Sequence, residues 1–220
     1  MMRDRAHWPR KHPSNKIIEL TDAELAECRR VANERAGWLS KNVYNKTRRD
    51  TSRSQVDTDY VGMVGEYGVA KLFGFGFDAC GLMQKGLGRP DDISTSAAQI
   101  DGGRDMVLPN GLTAQIKSVE VHSNPNYSYW YSLDHEDPTD RTVANEFTAD
   151  VGILALVLRF APGRVKIPGY ITRDRFLNEY WIGNLGSGPR AQVAGYWLDP
   201  IEQLMPSTAT VRTAASAVSV

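Results

Sequence analysis

The stretch ADVGILALVLRF, residues 149–160, constrains the fold of this chain more than any other. It is the most hydrophobic run in the sequence, and its apolar residues do not alternate with polar ones. A strand with one wet face alternates, whereas a strand covered on both faces reads as a continuous apolar run. The rest of the chain must therefore cover both faces of a sheet at this point. At 220 residues it is long enough to do so around one core.

The flanking segments supply candidates for that cover. TDAE, residues 21–24, has the capping-box pattern: Thr21 can cap a helix and Glu24 can reach back to it. That helix is expected to run toward Trp38. DTDYVGMVGEYGVAKLFGFGF predicts a second helix ending near Gly74. A Gly- and Asp-rich loop is expected over 75–104. DMVLPNGLTAQIKSVEV then reads as two short strands around the turn Pro109-Asn110-Gly111. NPNYSYWYSL extends or edges the same sheet, and DHEDPTDRT is a polar excursion. VKIPGYITRDRFLNEYW predicts a strand and then a helix capped by Thr172, and AQVAGYWLDPIEQLMP closes the fold. This order fits an α/β or α+β domain with a central mixed sheet flanked by helices. Its expected span is residues 17–205, between an N-terminal extension (1–16) and a disordered tail (206–220).

Hydrophobic residues at 41% and charged residues at 24% are ordinary for a soluble domain. No apolar run is long enough to span a bilayer, and MMRDRAHWPRKHPSNK lacks the core of a signal peptide. No membrane association is expected. The two cysteines, Cys28 and Cys80, form no CxxC, which argues against a disulfide framework or zinc knuckle. A reducing cytosol is the expected compartment. Zero net charge counts against a protein that coats nucleic acid by global charge. One local patch exists in KNVYNKTRRDTSR, where Arg48, Arg49 and Arg53 are candidates for DNA-backbone contacts and a solvated basic loop is the plain alternative.

Two stretches carry chemistry. On the second helix, Glu66 shares a face with Gly62, Met63, Val69, Ala70 and Phe73, which should pack on the sheet. A carboxylate in that stripe is costly unless a cation or hydrogen-bond donors neutralise it. Gly62 and Gly65 lower helix propensity, and make sense where something approaches the backbone closely. In the hairpin, Gln115 and Lys117 share one strand face while Ala114, Ile116 and Ser118 take the other. Asp105 opens the preceding strand, so the turn brings it beside them. An Asp carboxylate, a Gln carbonyl and a Lys ammonium are thus expected to converge near Glu66. Hard oxygen ligands suit Mg²⁺. Each residue also has an ordinary explanation: a border Glu, a turn Asp, an exposed strand face.

GMVGEYGVAKLFG, then GGRDMVLPNG, then QIK resembles the PD-(D/E)xK nuclease superfamily, especially its compact phage-type members. The resemblance covers roughly residues 60–120, with ADVGILALVLRF as the following core strand. It implies a restriction-endonuclease-like core and a metal-dependent endonuclease or other deoxyribonuclease. In that family a helix Glu, a strand Asp and an acid-x-Lys motif bind divalent metal and cut DNA. By position, Glu66 matches the helix acid, Asp105 the strand Asp, and Gln115 and Lys117 the last motif. Glu66, Asp105 and Gln115 would then hold Mg²⁺, with Mn²⁺ expected to substitute, while Lys117 assists the chemistry. Double-stranded DNA is the expected substrate. Many such enzymes dimerise to cut both strands, although this sequence shows no dimer surface. The chain departs from the pattern at Gln115, where an acid is usual. Gln-x-Lys variants occur in restriction-type relatives, but a neutral carbonyl attracts a cation less, so weaker metal affinity is expected.

Other features carry less. RPDD, residues 89–92, contains the literal Pro-Asp of Asp91 but lies far upstream of the hairpin, and Asp101 precedes two glycines, whereas Asp105 leads directly into apolar alternation. His7, His12, His122 and His135 have no zinc spacing, and His122 should fall on the strand face opposite Lys117. Tyr127, Tyr129, Trp130 and Tyr131 could stack on unpaired bases, but packing is the more ordinary use of aromatics on an edge strand. Two other functions stay open: a nucleic-acid-binding module on the same fold with weak or lost catalysis, and a structural or assembly protein.

Overall fold

The computed structural model describes residues 14, 16–41, 54–77, 105–123, 129–134, 147–184 and 189–205. Within them lie strands β1 (Lys16–Glu19), β2 (Met106–Val107), β3 (Thr113–Val121), β4 (Trp130–Asp134), β5 (Val151–Leu158), β6 (Arg164–Thr172), β7 (Trp181–Asn184) and β8 (Pro189–Ala194). The helices are α1 (Asp22–Lys41), α2 (Gln55–Leu72) and α3 (Arg173–Glu179). The fold is mixed α/β, as expected from the element order.

The strands form two sheets, one of five strands in the order β1-β6-β5-β3-β2 and one of three in the order β4-β8-β7. The apolar run ADVGILALVLRF supplies β5, which lies between β3 and β6. It pairs with β3 in parallel and with β6 antiparallel. Its alternate side chains serve different cores. Val151, Ile153 and Ala155 join Met63, Val64, Tyr67 and Val69 of α2. Leu154, Leu156 and Leu158 join Tyr131 and Leu133 of β4, Ala191 and Val193 of β8, and Phe176 of α3. The continuous apolar run follows directly from this double burial. One face of the large sheet is covered by helices, and the other by the small sheet with α3.

The local signals are met atom by atom. Glu24 Oε2 accepts from the Thr21 amide at 2.7 Å, and the Glu24 amide donates to Thr21 Oγ1 at 3.3 Å, which completes the capping box. Gly111 adopts φ +84° in the hairpin turn, a conformation that costs a side-chain-bearing residue. Asn110 Oδ1 accepts from the Leu112 amide at 3.1 Å. Thr172 caps α3, its hydroxyl accepting from the Arg175 amide.

One expectation is corrected. The described end of NPNYSYWYSL does not edge the main sheet; Trp130–Asp134 pairs with β8 in the second sheet. Lys16 begins β1, paired to Ile167 of β6, and the Ser14 amide donates to Pro168 O at 2.7 Å. Residues 206–220, assigned to a tail, lie outside the described residues.

Candidate metal and phosphodiester site

Asp105 stands where the two-residue strand β2 begins. Its amide donates to Ala114 O at 2.7 Å, and its carboxylate Oδ2 accepts from the Ile116 amide at 2.5 Å. The carboxylate therefore takes a β3 amide that a neighbouring strand would otherwise pair. A strand N–H lies in the plane of its sheet, so the Asp105 carboxylate sits in that plane, at the edge of β3. It is only 8% exposed.

Gln115 projects from β3 to the face covered by the small sheet. Its side chain is 6% exposed, and its Oε1 accepts from the Tyr131 hydroxyl at 3.0 Å. Tyr131 is fully buried on β4. Burial, and after it the nearby Asp105 carboxylate, push the Tyr131 phenol well above its ordinary pKa. Asp105, Gln115 and Tyr131 are thus gathered at one end of β3. Lys117, half-buried, lies two residues along on the Gln115 face.

Glu66 is the residue near which Asp105, Gln115 and Lys117 are expected to converge. It lies on α2 at 6% exposure. Gly65 of that helix rests on Ser118: a Cβ there would stand 2.7 Å from Ser118 Cβ. Ser118 belongs to the strand face opposite Gln115 and Lys117. The backbone therefore places Glu66 across the sheet from those two residues. Asp105, lying in the plane of the sheet, stands between the two sides.

The glycine expectation divides in the same way. Gly65 is where the sheet approaches the helix, and Gly68 does the same against Val165, at 2.9 Å from its Cβ. A Cβ at Gly62 would meet nothing within 4 Å. Close packing of helix on sheet accounts for the glycines at 65 and 68.

Two buried polar residues, Asp59 and Tyr131, are not among the expected site residues. Asp59 is 7% exposed on α2 and takes a hydrogen bond from Gln55 Nε2 at 2.9 Å. It lies seven residues before Glu66, so it repeats the same helical stripe, a spacing visible in the sequence. Tyr131 had no local signal, because its role depends on which sheet β4 joins. His122 lies on the face opposite Lys117, as its position in the strand implied; its Nε2 is 3.2 Å from Glu120 Oε2. Arg48, Arg49, Arg53, Asp91 and Asp101 lie outside the described residues.

Carboxylate and amide oxygens are hard donors, and each such oxygen carries two lone pairs. This chemistry fits Mg²⁺ or Mn²⁺ and not a soft cation. Among the described residues no three His, Cys, Asp or Glu side chains group closely enough to hold a metal ion. An ion here would rest on one or two carboxylates, the Gln115 oxygen and water, the kind of coordination Mg²⁺ accepts. No helix among the described residues is long and apolar enough to cross a membrane. No protein-family model matches the chain, and no curated protein or solved structure shows significant similarity to it.

Proposed function

We propose that the protein is a Mg²⁺-dependent deoxyribonuclease of PD-(D/E)xK type. The observation that carries this proposal is the placement of buried Asp105 and buried Gln115 at one end of β3, with Lys117 next along the Gln115 face. Burying a carboxylate is costly without compensation, and a divalent cation is one way to supply it. A bound Mg²⁺ would polarise a phosphate oxygen and lower the pKa of water. Asp105 and Gln115 would hold that ion, and Glu66 would supply a second carboxylate at the β3 edge where Asp105 sits. Lys117 would orient the attacking water and offset charge on the phosphate with its ammonium. The order of helix Glu, strand Asp and Gln-x-Lys strand supports the same assignment. Double-stranded DNA is the proposed substrate, with Arg48, Arg49 and Arg53 as backbone contacts.

A second possibility is a DNA-binding module on the same fold with little or no catalysis. It is favoured by Gln115 itself, which is neutral and already accepts a hydrogen bond from Tyr131.

One experiment separates these. Plasmid, linear duplex and single-stranded DNA are incubated with the protein in Mg²⁺, Mn²⁺ or chelator. A metal-dependent nuclease cuts with either ion, stops in chelator, and loses about 10²–10³-fold of its rate in Lys117→Ala. Cleavage that persists in chelator, or is undiminished in Lys117→Ala, refutes the assignment. A gel shift without cleavage selects the binding module, and neither binding nor cleavage selects a structural role.

A further inference from the structure

The small sheet reaches the candidate site through one side chain. Tyr131 lies on β4, yet its hydroxyl ends on Gln115 of β3, in the other sheet. Room for it is made by Gly152, which is the register partner of Gln115 on β5. A Cβ at Gly152 would lie 2.6 Å from the Tyr131 hydroxyl oxygen and 2.8 Å from its Cε2, so any side chain there would occupy the place of the phenol. The ring is also held on its flanks. Phe176 meets it edge-on with centroids 5.5 Å apart, and Phe147 lies 5.7 Å away at a tilt of 40°. With no exposure at all, the ring has no solvent into which it could swing. Three strands therefore combine to place one hydroxyl at one amide.

The chemistry of a glutamine gives this placement a consequence. The oxygen and nitrogen ends of its amide are nearly the same size, and rotation about the last torsion exchanges them. Beside an anion such as Asp105, electrostatics favours the NH₂ end. A cation ligand needs the oxygen end. A hydroxyl that donates to the amide selects the oxygen, and a carbonyl oxygen can face a hydroxyl and a cation together. A glutamate would need no such selection, because its two oxygens are equivalent.

We propose that Tyr131 is a positioning residue that fixes the Gln115 amide with its oxygen turned toward the Asp105 end of β3, and so makes a glutamine serviceable where an acid is usual. This rests on Asp105 and Gln115 being ligands. It explains the departure from the acid-x-Lys pattern by a residue in a different sheet.

The test is a four-protein cycle of wild type, Tyr131→Phe, Gln115→Glu and the double variant. Mn²⁺ affinity is read from the spin-resonance signal of free ion, and folding stability from urea titration. Tyr131→Phe should weaken Mn²⁺ binding about five- to tenfold in the Gln115 background, the scale of one hydrogen bond. In the Gln115→Glu background it should weaken binding by less than about twofold. An equal penalty in both backgrounds overturns the inference and leaves the metal site standing. A wild type that binds no Mn²⁺ overturns both. Should Tyr131→Phe fail to fold, a crystal of the wild type soaked in Mn²⁺ decides the matter. An anomalous peak beside Gln115 Oε1, with the Tyr131 hydroxyl on that same oxygen, supports the inference. A Tyr131 hydroxyl turned to Asp105 overturns it.

Discussion

Gly62 and Gly65 lie one helical turn apart on α2, and replacing each by alanine should change stability in opposite directions. Both substitutions gain about 1 kcal/mol of helix propensity. At Gly62 the new methyl meets nothing within 4 Å, so that gain stands. At Gly65 it would fall 2.7 Å from Ser118 Cβ and 3.2 Å from Ala155 Cβ, and closer still to Ser118 Oγ. Carbon atoms pack best at about 3.5–4.0 Å. A change of serine rotamer moves the oxygen but not the Cβ, so helix and sheet must separate by nearly an ångström. Overpacking of this kind costs about 1–3 kcal/mol. The propensity term cancels between the two variants, so their difference measures the strain alone. Urea titration would read a gap of about 2 kcal/mol as roughly 1 M in midpoint. Adding Ser118→Ala to Gly65→Ala removes the oxygen and keeps the 2.7 Å contact, so recovery should be partial. If Gly65→Ala proves as stable as Gly62→Ala, α2 does not rest on Ser118. The placement of Glu66 across the sheet from Gln115 would then fail with it.

The remaining predictions concern charge, packing and the metal. Burial raises the Glu24 carboxyl, but the Lys71 ammonium, the Thr21 amide and hydroxyl, and the Tyr67 hydroxyl outweigh it and lower its pKa from 4.5 to about 2. A depressed carboxyl contributes stability above pH 4.5 that fades as pH falls toward 2, so Glu24→Gln should flatten the urea midpoint across that window. Gly152→Ala should destabilise by about 1–3 kcal/mol, because the Tyr131 ring has nowhere to move; a calorimetric melting temperature equal to that of wild type would show otherwise. Gln115→Glu should tighten Mn²⁺ binding and lower the Mg²⁺ concentration needed for cleavage, since a carboxylate attracts a cation more strongly than an amide. Unchanged or weaker metal dependence would remove Gln115 from the ligands.

Much of this protein follows from short-range chemistry that a single sequence displays. The unbroken apolar run of β5, the Thr21–Glu24 box, the Asn110-Gly111 turn and the Thr172 cap each depend on residues a few positions apart. The alternation of β3 likewise separates Gln115 and Lys117 from Ala114, Ile116 and Ser118 before any partner is known. Choices between distant partners were of another kind. An aromatic strand such as Trp130–Asp134 has similar local preferences in either sheet, and only the complementarity of Tyr131 to the space above Gly152 settles where it packs. Four-residue β1 carries too little pattern to stand out before it meets β6. Helical spacing showed that Glu66 faces the core, while the depth of Gly65 against Ser118 decided which side of the sheet it reaches. Periodicity assigns a side chain to a face of its own element, and only tertiary packing decides what that face meets.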